Sequence, residues 1–536
     1  MKKNIIFSAL ITLSVLFTSC EENFDAKIYG SLSTTNFPSS ESDYESYLMN
    51  CYIPFSVNWG YSFGSVWQHN FYVPEGGIMR MLDSTSDYCA SWNVSSWGGN
   101  WLKMTSGQFD DLKYVSRGSG GDPSHFEKVR DITRFTAIIG TIEKSATLSE
   151  TKKKEFSGEA HLLRGMMMYY MLHFYGPVPV ILNPDSIGDG QAESNLGRPS
   201  LDTYTTYITD DLENAVANMK EKQSEKGRYT CDYARYCLMR HYLNEGAHVS
   251  GYYQKAYDLF SKFTGGYSLY TKGDNPYADQ FKVANKFNNE VIMAVSVSNT
   301  ATGSGSEGNF NPLSWYVVPN NVAKYDSNGN STPFVNQGGG WGQCFNIDPK
   351  YYDTFENGDL RAKTILTSYY NNSGSWVTRS DIGSKWSGFI INKYPIETAT
   401  SFQGTDIPLA RWADVLLMSA EADVRLHNAV STSAINSVNQ VRSRAGLGGL
   451  PSSSTSSVSS FLDALLTERG HELMYEGCRK VDLIRFNKYY TVMKAYGRTP
   501  SSQYFPLPNF AVQQAEEAGH TLTQYFTRDD YDGPKK

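Results

Sequence analysis

Charge is scarce in this chain, and the motifs of the common metal and redox sites are missing. Only 19% of its 536 residues are charged, the net charge is −7, and its one interior basic run is the Lys-Lys-Lys at 152–154. The lack of a basic patch in the sequence argues against nucleic acid as the main partner. Neither a CxxC nor an HExxH sequence occurs, so no motif indicates a thiol redox centre or a zinc protease.

Aromatic residues, in contrast, are abundant. The chain has 37 Tyr, 27 Phe and 10 Trp, together 14% of its residues, with 45 Gly. This composition is typical of ordered loops that present ring-rich surfaces, and not of a disordered chain. At about 150 residues per domain the length allows three or four domains, although one large helical domain with long insertions fits equally well.

The N-terminus reads as an export signal. Two lysines, an apolar stretch and small residues precede Cys20, and the following sequence turns polar at once. This pattern predicts a signal peptide at 1–19 and is too short for a membrane span. Phe17-Thr18-Ser19-Cys20 resembles a bacterial lipobox, with Phe in place of the usual Leu. Acylation of Cys20 would anchor the protein stably to a membrane, and the alternative is an ordinary secreted protein.

Six other cysteines have no pairing that the sequence reveals. They are Cys51, Cys89, Cys231, Cys237, Cys344 and Cys478. Scattered buried thiols are the favoured interpretation, and a disulfide stays open because the protein is exported.

Helical periodicity dominates two long stretches. The best-patterned segment is 152–175, where apolar residues recur at gaps of three and four and Gly176-Pro177 follows. The pattern predicts further helices at 44–52, 126–147, 202–220, 232–248, 252–264, 409–428, 431–445 and 458–486. Several of them form pairs joined by short turns, as tetratricopeptide-like helices do. A short strand is predicted at 289–297.

Six motifs in order resemble the SusD/RagB family of nutrient-binding outer-membrane lipoproteins from Bacteroidetes. They are GEAHLLRGMMMYYMLHFYGPVPVIL (158–182), GRPSLDTYTTYITDDLENAV (197–216), LARWADVLLMSAEADVRL (409–426), INSVNQVRSRAGL (435–447), LTERGHELMYEGCRKVDLIRF (466–486) and QYFPLPN (503–509). The chain departs from the family at Thr203, where Glu is usual, and in its degraded closing segment HTLTQYFTRDDY.

The resemblance implies a mainly α-helical, SusD-like fold with tetratricopeptide-like helix pairs, large loop-rich insertions and a few short strands. We expect a linker at 20–42 and one domain at 43–536, with helical scaffold at about 124–265 and 405–490. Loop-rich, ligand-facing regions are expected at about 55–122 and 267–400. The resemblance also implies glycan capture at the cell surface and delivery to a SusC-like TonB-dependent transporter, without catalysis. No cofactor is expected, although members of this family sometimes bind calcium.

Glu472 and Glu476, four residues apart, raise an enzymatic alternative, because a glycoside hydrolase works with two carboxylates. However, Arg469, Arg479, Lys480 and Arg485 lie close to them in sequence, and ion pairing would lower their pKa values. We therefore interpret this segment as a structural charge network. We interpret the histidines at 161, 173 and 241 as structural as well.

The rings of the irregular regions form the predicted ligand site. Trp and Tyr suit sugars because they combine a flat apolar body with a polar edge. The candidate residues are Trp67, Trp92, Asn93, Trp97, Asn100, Trp101, Asn311, Trp315, Tyr316 and Trp341. Trp59 and Tyr61 join Trp67 in the first cluster. The alternative for any single ring is a loop anchor packed against the helices, and a helical scaffold that binds only protein partners is the remaining alternative function.

Overall fold

The architecture was obtained as a computed structural model. It describes residues 37–63, 66–90, 99–111, 125–190, 197–298, 309–336, 342–398 and 403–535, without the side chains of 63, 66, 67, 99–101 and 111. The predicted signal peptide and lipidated Cys20 lie outside these ranges. The chain divides into two units between Tyr47 and Leu48, and residues 37–47 are the described part of the first unit.

The described part of the chain is mainly helical, as the resemblance implied. Its helices are α1 Glu41–Met49, α2 Gly99–Thr105, α3 Val129–Glu143, α4 Glu150–Tyr175, α5 Leu201–Asn218, α6 Cys231–Glu245, α7 Tyr252–Phe260, α8 Pro276–Asp279, α9 Ser314–Val317, α10 Pro349–Tyr352, α11 Trp412–His427, α12 Thr432–Arg444, α13 Val458–Glu472, α14 Arg479–Arg485, α15 Tyr489–Ala495 and α16 Asn509–Glu517. Consecutive long helices pack against each other in the pairs α3–α4, α6–α7 and α11–α12. They correspond to the pairs that the short turns in the sequence predict, namely 126–147 with 152–175, 232–248 with 252–264 and 409–428 with 431–445.

Short strands interrupt the helices. They are β1 Gly60–Phe63, β2 Val66–His69, β3 Val291–Val295, β4 Ile365–Leu366, β5 Tyr369–Tyr370, β6 Trp376–Val377, β7 Ile390–Ile391 and β8 Ile407–Arg411. In the described residues they form four antiparallel two-stranded sheets, β1–β2, β3–β8, β4–β7 and β5–β6. The predicted strand at 289–297 is β3, and its partner β8 occupies the first residues of the helix predicted at 409–428.

Helix α4 is the longest of the described helices and is largely buried, and its sequence explains both of its ends. The hydroxyl of Ser149 accepts a hydrogen bond from the Lys152 N–H at 3.3 Å, which caps the start. Gly176 ends the helix with φ +76°, a conformation that glycine adopts without steric strain. Two further glycines, 158 and 165, let α5 approach, because a Cβ on either would lie 3.0 Å from an α5 side chain.

A buried ion pair joins α4 and α5 at this close approach. Arg164 donates from Nε and Nη2 to the two carboxylate oxygens of Asp211 at 2.8 and 2.7 Å. His161 Nδ1 lies 2.6 Å from the same carboxylate. The predicted structural role of His161 is thus confirmed by its position in the helix interface.

The helix predicted at 458–486 is wrong in one respect, since two helices occupy this stretch. The chain turns between α13 and α14, where Tyr475 and Gly477 have φ values of +55° and +79°. The carboxylate of Asp83 accepts hydrogen bonds from the N–H groups of Gly477 at 2.6 Å and Arg479 at 3.1 Å. This long-range contact stabilises the turn, and nothing in the local periodicity indicates it.

The C-terminal helices share one hydrophobic core. Its fully buried members include Leu417, Val424, Val438, Val441, Phe461, Leu465, Leu483 and Tyr489. Among the described helices, none combines the length and the hydropathy that crossing a membrane requires. All six cysteines in the described ranges are unpaired thiols, and five of them are buried, in agreement with the favoured interpretation.

Candidate functional site

Several predicted ligand residues fall outside what the structure describes. Trp92, Asn93, Trp97 and Trp341 lie in the undescribed segments. Asn100 and Trp101 belong to α2 and Trp67 to β2, where the description covers the backbone alone. These residues stay predictions.

Asn311 and Tyr316 do not contribute to an exposed surface, contrary to the prediction. Tyr316 is 4% exposed and donates its hydroxyl hydrogen to Glu75 Oε2 at 2.6 Å. Asn311 is 1% exposed; its amide donates to the Thr405 carbonyl at 3.1 Å and its side-chain oxygen accepts from Leu313 N–H at 3.0 Å. Both side chains use their polar groups inside the protein, because a buried polar group needs a partner.

The partner of Tyr316 is itself unusual. Glu75 is completely buried, and burial raises the pKa of its carboxyl group to about 7 against the lowering effects of Tyr316 and Arg80. The hydrogen bond therefore joins the segment around Glu75 to α9. Trp315, the neighbour of Tyr316 on α9, is half-buried and packs against Phe310, with 5.5 Å between ring centroids.

The first ring cluster is partly a structural anchor. Tyr61 donates its hydroxyl hydrogen to Asp131 Oδ2 at 2.5 Å, and Gln68 Nε2 donates to the same oxygen at 3.3 Å. These two residues are partners in the β1–β2 register, so both attach one side of this hairpin to α3. The next pair in the register is Ser62, which is exposed, and Trp67.

A pair of rings on the β5–β6 hairpin was missed by the sequence reasoning. Tyr370 and Trp376 are partners in the register, and their ring centroids lie 4.5 Å apart at an interplanar angle of 57°. Trp376 is 50% exposed, although a large ring is usually well buried. The sequence YYNNSGSW at 369–376 contains the signal, because a turn-rich Asn-Asn-Ser-Gly between two rings predicts a hairpin.

The hairpin is held in place by its own turn and by the preceding loop. Asn371 Oδ1 accepts hydrogen bonds from the N–H groups of Ser373 at 3.1 Å and Ser375 at 2.8 Å. On the other edge, Ala323 N–H donates to the Tyr370 carbonyl at 2.8 Å. This second segment carries Tyr325, which is 56% exposed. The loop-rich region from 267 to 400 therefore presents exposed rings on a fixed backbone, and we name Trp376, Tyr370 and Tyr325 the hairpin ring set.

The paired carboxylates of the enzymatic alternative are engaged in ion pairs. Arg411 donates to Glu472 Oε1 at 2.8 Å and to Glu476 Oε1 at 2.5 Å. Arg444 also donates to Glu472, and Lys393 Nζ lies 2.5 Å from Glu476. Burial alone would raise the pKa of Glu472, but the guanidinium groups of Arg444, Arg411 and Arg361 outweigh burial and hold it well below its usual range. Glu472 is ionised at neutral pH, so it cannot serve as a general acid.

The charge network predicted for 466–486 exists, but its partners differ from the predicted ones. Glu472 pairs with arginines far away in sequence, and Arg469 pairs with Asp414 at 2.6 Å and Asp482 at 2.9 Å. Lys480 has no acidic partner among the described residues. Its ammonium group instead lies 4.4–5.2 Å from the ring centroids of Phe109, Tyr489 and Phe505.

One further pattern has the spacing of a serine nucleophile. GYSFG at 60–64 reads as GxSxG, the motif of a nucleophile on a sharp turn from a strand into a helix. Ser62 lies inside strand β1 and pairs with β2, so its backbone is extended. The geometry of β1 does not provide the strained turn that this chemistry requires.

Sequence comparison connects the chain to one family. Residues 289–527 match the family model described as the SusD family. The SusD-like protein P38 of Formosa agariphila is 26% identical over 361 residues, which cover 63% of this chain and 68% of that protein. The starch-binding protein SusD of Bacteroides thetaiotaomicron is 24% identical over 415 residues, 67% of this chain and 69% of that protein.

Solved structures share the fold. A laminarin-binding SusD-like protein superposes with a TM-score of 0.67 at 21% identity, covering 92% of this chain and 100% of that one. Surface glycan-binding protein A from Bacteroides thetaiotaomicron, in complex with laminarihexaose, gives a TM-score of 0.67 at 18% identity, with 91% and 100% covered.

Proposed function

We propose that the chain is a SusD-family protein, on the match of residues 289–527 and on the shared fold, and that it binds a glycan without catalysis and delivers it to a SusC-like TonB-dependent transporter. The starch-binding and laminarin-binding relatives support a neutral polysaccharide as the ligand class. Lipidation at Cys20 would hold the protein at the outer membrane, exposed at the cell surface.

The observation that carries this proposal is the exposed Trp376 ring beside Tyr370. A sugar ring has a C–H face that packs on an aromatic ring, and an exposed indole supplies such a face. Exposing a large ring forfeits the free energy of its burial, on the order of 2–3 kcal/mol, so an exposed Trp on a fixed hairpin indicates a binding role. Asn372 is exposed in the turn of the same hairpin, and its amide offers the hydrogen bonds that sugar hydroxyls need.

The rings predicted from sequence belong to the same proposal. Trp67, Trp92, Trp97, Trp101, Trp315 and Trp341 lie in the two irregular regions, with Asn93 and Asn100 among them. We propose that at least one of these rings extends the ligand surface.

Two other functions compete with this one. A surface hydrolase would need a carboxyl group that can donate a proton beside a second carboxylate, whereas Glu472 and Glu476 are engaged by Arg411. A scaffold for protein partners alone would leave exposed rings without a sugar ligand. Incubation with glycans separates the three functions, since the hydrolase forms products, the proposed protein binds without products, and the scaffold does neither.

Calorimetric titration with starch and laminarin oligosaccharides tests the ring set directly. We expect Trp376→Ala to weaken binding by about tenfold, which corresponds to roughly 1.4 kcal/mol, and Trp376→Phe to retain most of the affinity. Tyr257→Ala is a matched control, because Tyr257 is a ring on α7 that is 40% exposed and lies outside the irregular regions. Equal affinity of Trp376→Ala and the wild type would remove the hairpin from the site. Unchanged affinity in Ala variants at 92, 97, 101 and 315 would remove the sequence-predicted rings as well.

The transporter partnership has its own test. A tagged chain should co-purify with a SusC-like barrel from detergent-solubilised outer membranes, and the Trp376→Ala variant should co-purify equally well. Retrieval of the chain without a barrel would contradict the delivery step and leave glycan binding intact.

A further inference from the structure

A second groove lies among the scaffold helices, separate from the hairpin ring set. It has a cavity volume of about 880 Å³ and is open to solvent. Its walls are the segment 267–271, the start of α8, the first residue of α11 and one face of α12. A volume of this size is typical of pockets that bind small ligands, which occupy roughly 300–1,000 Å³.

One wall of the groove is aromatic and rigid. Trp412 and Tyr267 line it, and their rings stack at a centroid distance of 5.8 Å and an interplanar angle of 25°. Phe260 stacks on Trp412 at 5.7 Å and Phe263 meets it edge-on at 5.8 Å. Both Trp412 and Tyr267 stay half-buried, so part of this ring cluster faces the groove. The indole N–H of Trp412 has no acceptor among the described residues.

A second part of the lining is a stripe of amide and hydroxyl side chains on α12. The stripe begins at Asn436 and continues with Asn439, Gln440 and Ser443, which follow it by three, four and seven residues. This spacing places all four on one helix face. Asn439 uses its Oδ1 to accept from Leu450 N–H at 2.8 Å, and its NH₂ group has no acceptor in the described part of the chain. The side-chain oxygens of Asn436, Gln440 and Ser443 have no donor among the described residues.

The third wall adds hydroxyl groups on a fixed backbone. Ser268 and Thr271 line the groove, and both are exposed. Ser268 N–H donates to the Asn289 carbonyl at 3.1 Å, and Tyr270 N–H donates to the Glu290 carboxylate at 2.8 Å. The segment therefore presents its hydroxyls from a defined position.

The described lining of the groove carries no uncompensated charge. Among the described lining residues Arg444 is the one charged residue, and its guanidinium group donates to Glu290 at 2.8 Å and to Glu472. An anionic ligand would meet no free cation among these lining residues, and a cationic ligand would meet no free carboxylate among them. Aromatic faces beside neutral donors and acceptors match a ligand with apolar C–H faces and many hydroxyl groups.

From this combination of rings, amides and hydroxyls we infer that the groove between residues 267–276 and α12 is a second binding site for a neutral oligosaccharide, holding roughly two to four sugar rings. The inference rests on the lining of the groove alone and does not require the hairpin ring set. Two separated sites on one chain would raise the apparent affinity for a long polymer over that for a short oligomer.

Hydrogen–deuterium exchange with neutral hexasaccharides tests the inference on the whole protein. The panel contains maltohexaose, laminarihexaose, cellohexaose and xylohexaose, with an oligogalacturonate as the anionic comparison. We expect at least one neutral hexasaccharide to slow exchange in peptides from 267–276 and 432–444, and the oligogalacturonate to slow neither.

Isosteric variants locate the effect. Asn436→Asp with Gln440→Glu adds charge at two exposed positions without changing shape, and protection of both peptides should be lost. Gln513→Glu adds a charge on α16, where the side chain is also exposed, and protection should be retained. Trp412→Phe should weaken the protection while the melting temperature stays close to that of the wild type.

The outcomes separate this inference from the proposed function. Protection of the groove peptides that survives Trp376→Ala supports an independent second site. The second site is overturned if calorimetry shows glycan binding that Trp376→Ala removes, while no glycan slows exchange of the groove peptides in the wild type. The proposed function stays intact in that case. Protection of these peptides only by a co-purified membrane protein, and by no sugar, also overturns it.

Discussion

Glu75 illustrates how a single buried residue couples protonation to folding. Its Oε1 atom has no partner among the described residues, and its Oε2 atom accepts the Tyr316 hydroxyl hydrogen. Its pKa rises from the ordinary 4.5 to about 7 on folding. The folded protein therefore binds a proton between pH 4.5 and 7 that the unfolded chain has released. As a result, the free energy of unfolding falls as the pH rises through that window.

Glu75→Gln should remove this dependence, because glutamine is neutral and keeps an acceptor for Tyr316. Relative to the wild type, the variant should gain roughly 2 kcal/mol of unfolding free energy between pH 5 and pH 8. Urea unfolding at pH 5, 6 and 8 measures the difference.

The control is Glu213→Gln. Hydrogen bonds from Lys255 and Tyr242 outweigh the effect of burial and lower the pKa of Glu213, so this group stays ionised from pH 5 to pH 8. Its replacement should change stability by the same amount at each pH. Parallel pH profiles for Glu75→Gln and Glu213→Gln would show that Glu75 is not protonated in the folded protein near neutral pH.

Lys480 changes the pH dependence of stability in the opposite direction from Glu75. Burial lowers its pKa from 10.5 to about 7, so the unfolded chain holds the extra proton between pH 7 and 10.5 and stability rises with pH in that window. Lys480→Met fills the same space between Phe109, Tyr489 and Phe505, and the rise should be absent in this variant. Chemical unfolding at pH 7 and 9.5 compares the two proteins. Equal rises in both would mean that the three rings keep the ammonium group charged.

These residues also mark the limit of prediction from sequence. The sequence predicted that Glu472 is ion-paired, and the structure confirms this, but its partners are the distant Arg361, Arg411 and Arg444 and not the neighbouring basic residues. The burial of Tyr316 did not follow, because its partner Glu75 lies 241 residues earlier in the chain. The prediction that Lys480 joins the charge network was wrong for a related reason. Two of the three rings that surround its ammonium group, Phe109 and Phe505, are distant in sequence.

At the scale of elements, the turn between α13 and α14 depends on one glycine. Gly477 has φ +79°, and a Cβ at this position would lie 2.4 Å from Ile78 Cδ1. The periodicity of 458–486 predicted one helix because apolar spacing alone does not reveal a left-handed residue. The bounds of helix α4 were predicted closely because local residues specify its ends, with Ser149 directly before the helix and Gly176 directly after it.

Gly477→Ala should destabilise the protein by about 1–3 kcal/mol, through backbone strain and the contact with Ile78. Gly497→Ala is matched in conformation, with φ +75° and no atom within 4 Å of the added Cβ, so it reports the strain alone. Differential scanning calorimetry should give the larger loss for Gly477→Ala. In a protein that already carries Ile78→Ala, Gly477→Ala should cost no more stability than Gly497→Ala does. If Gly477→Ala costs as much there as with Ile78 present, the whole loss comes from backbone strain in the turn.

For the whole molecule, periodicity and family motifs were enough to predict the helical scaffold and its pairs. The ring-bearing regions were harder, because their geometry depends on contacts between distant segments. The β5–β6 hairpin shows this, since Ala323 fixes one edge of it from almost fifty residues away. Which rings are exposed therefore depends on the folded scaffold, and Trp376 was found only from the structure.

Anchoring and binding are separate properties of the whole molecule in our proposal. Cys20 precedes the described part of the chain, whereas the hairpin ring set lies more than 300 residues later. Cys20→Ala removes the thiol that would carry the acyl chains, so the protein should move from the membrane fraction to the soluble fraction of the cell. Its affinity for a glycan in solution should equal that of the wild type, because no ring is altered. Fractionation with immunoblotting measures the first effect and calorimetry the second. If Cys20→Ala stays with the membrane although its signal peptide has been removed, as N-terminal sequencing would show, the chain is held by a protein contact and lipidation is not its anchor.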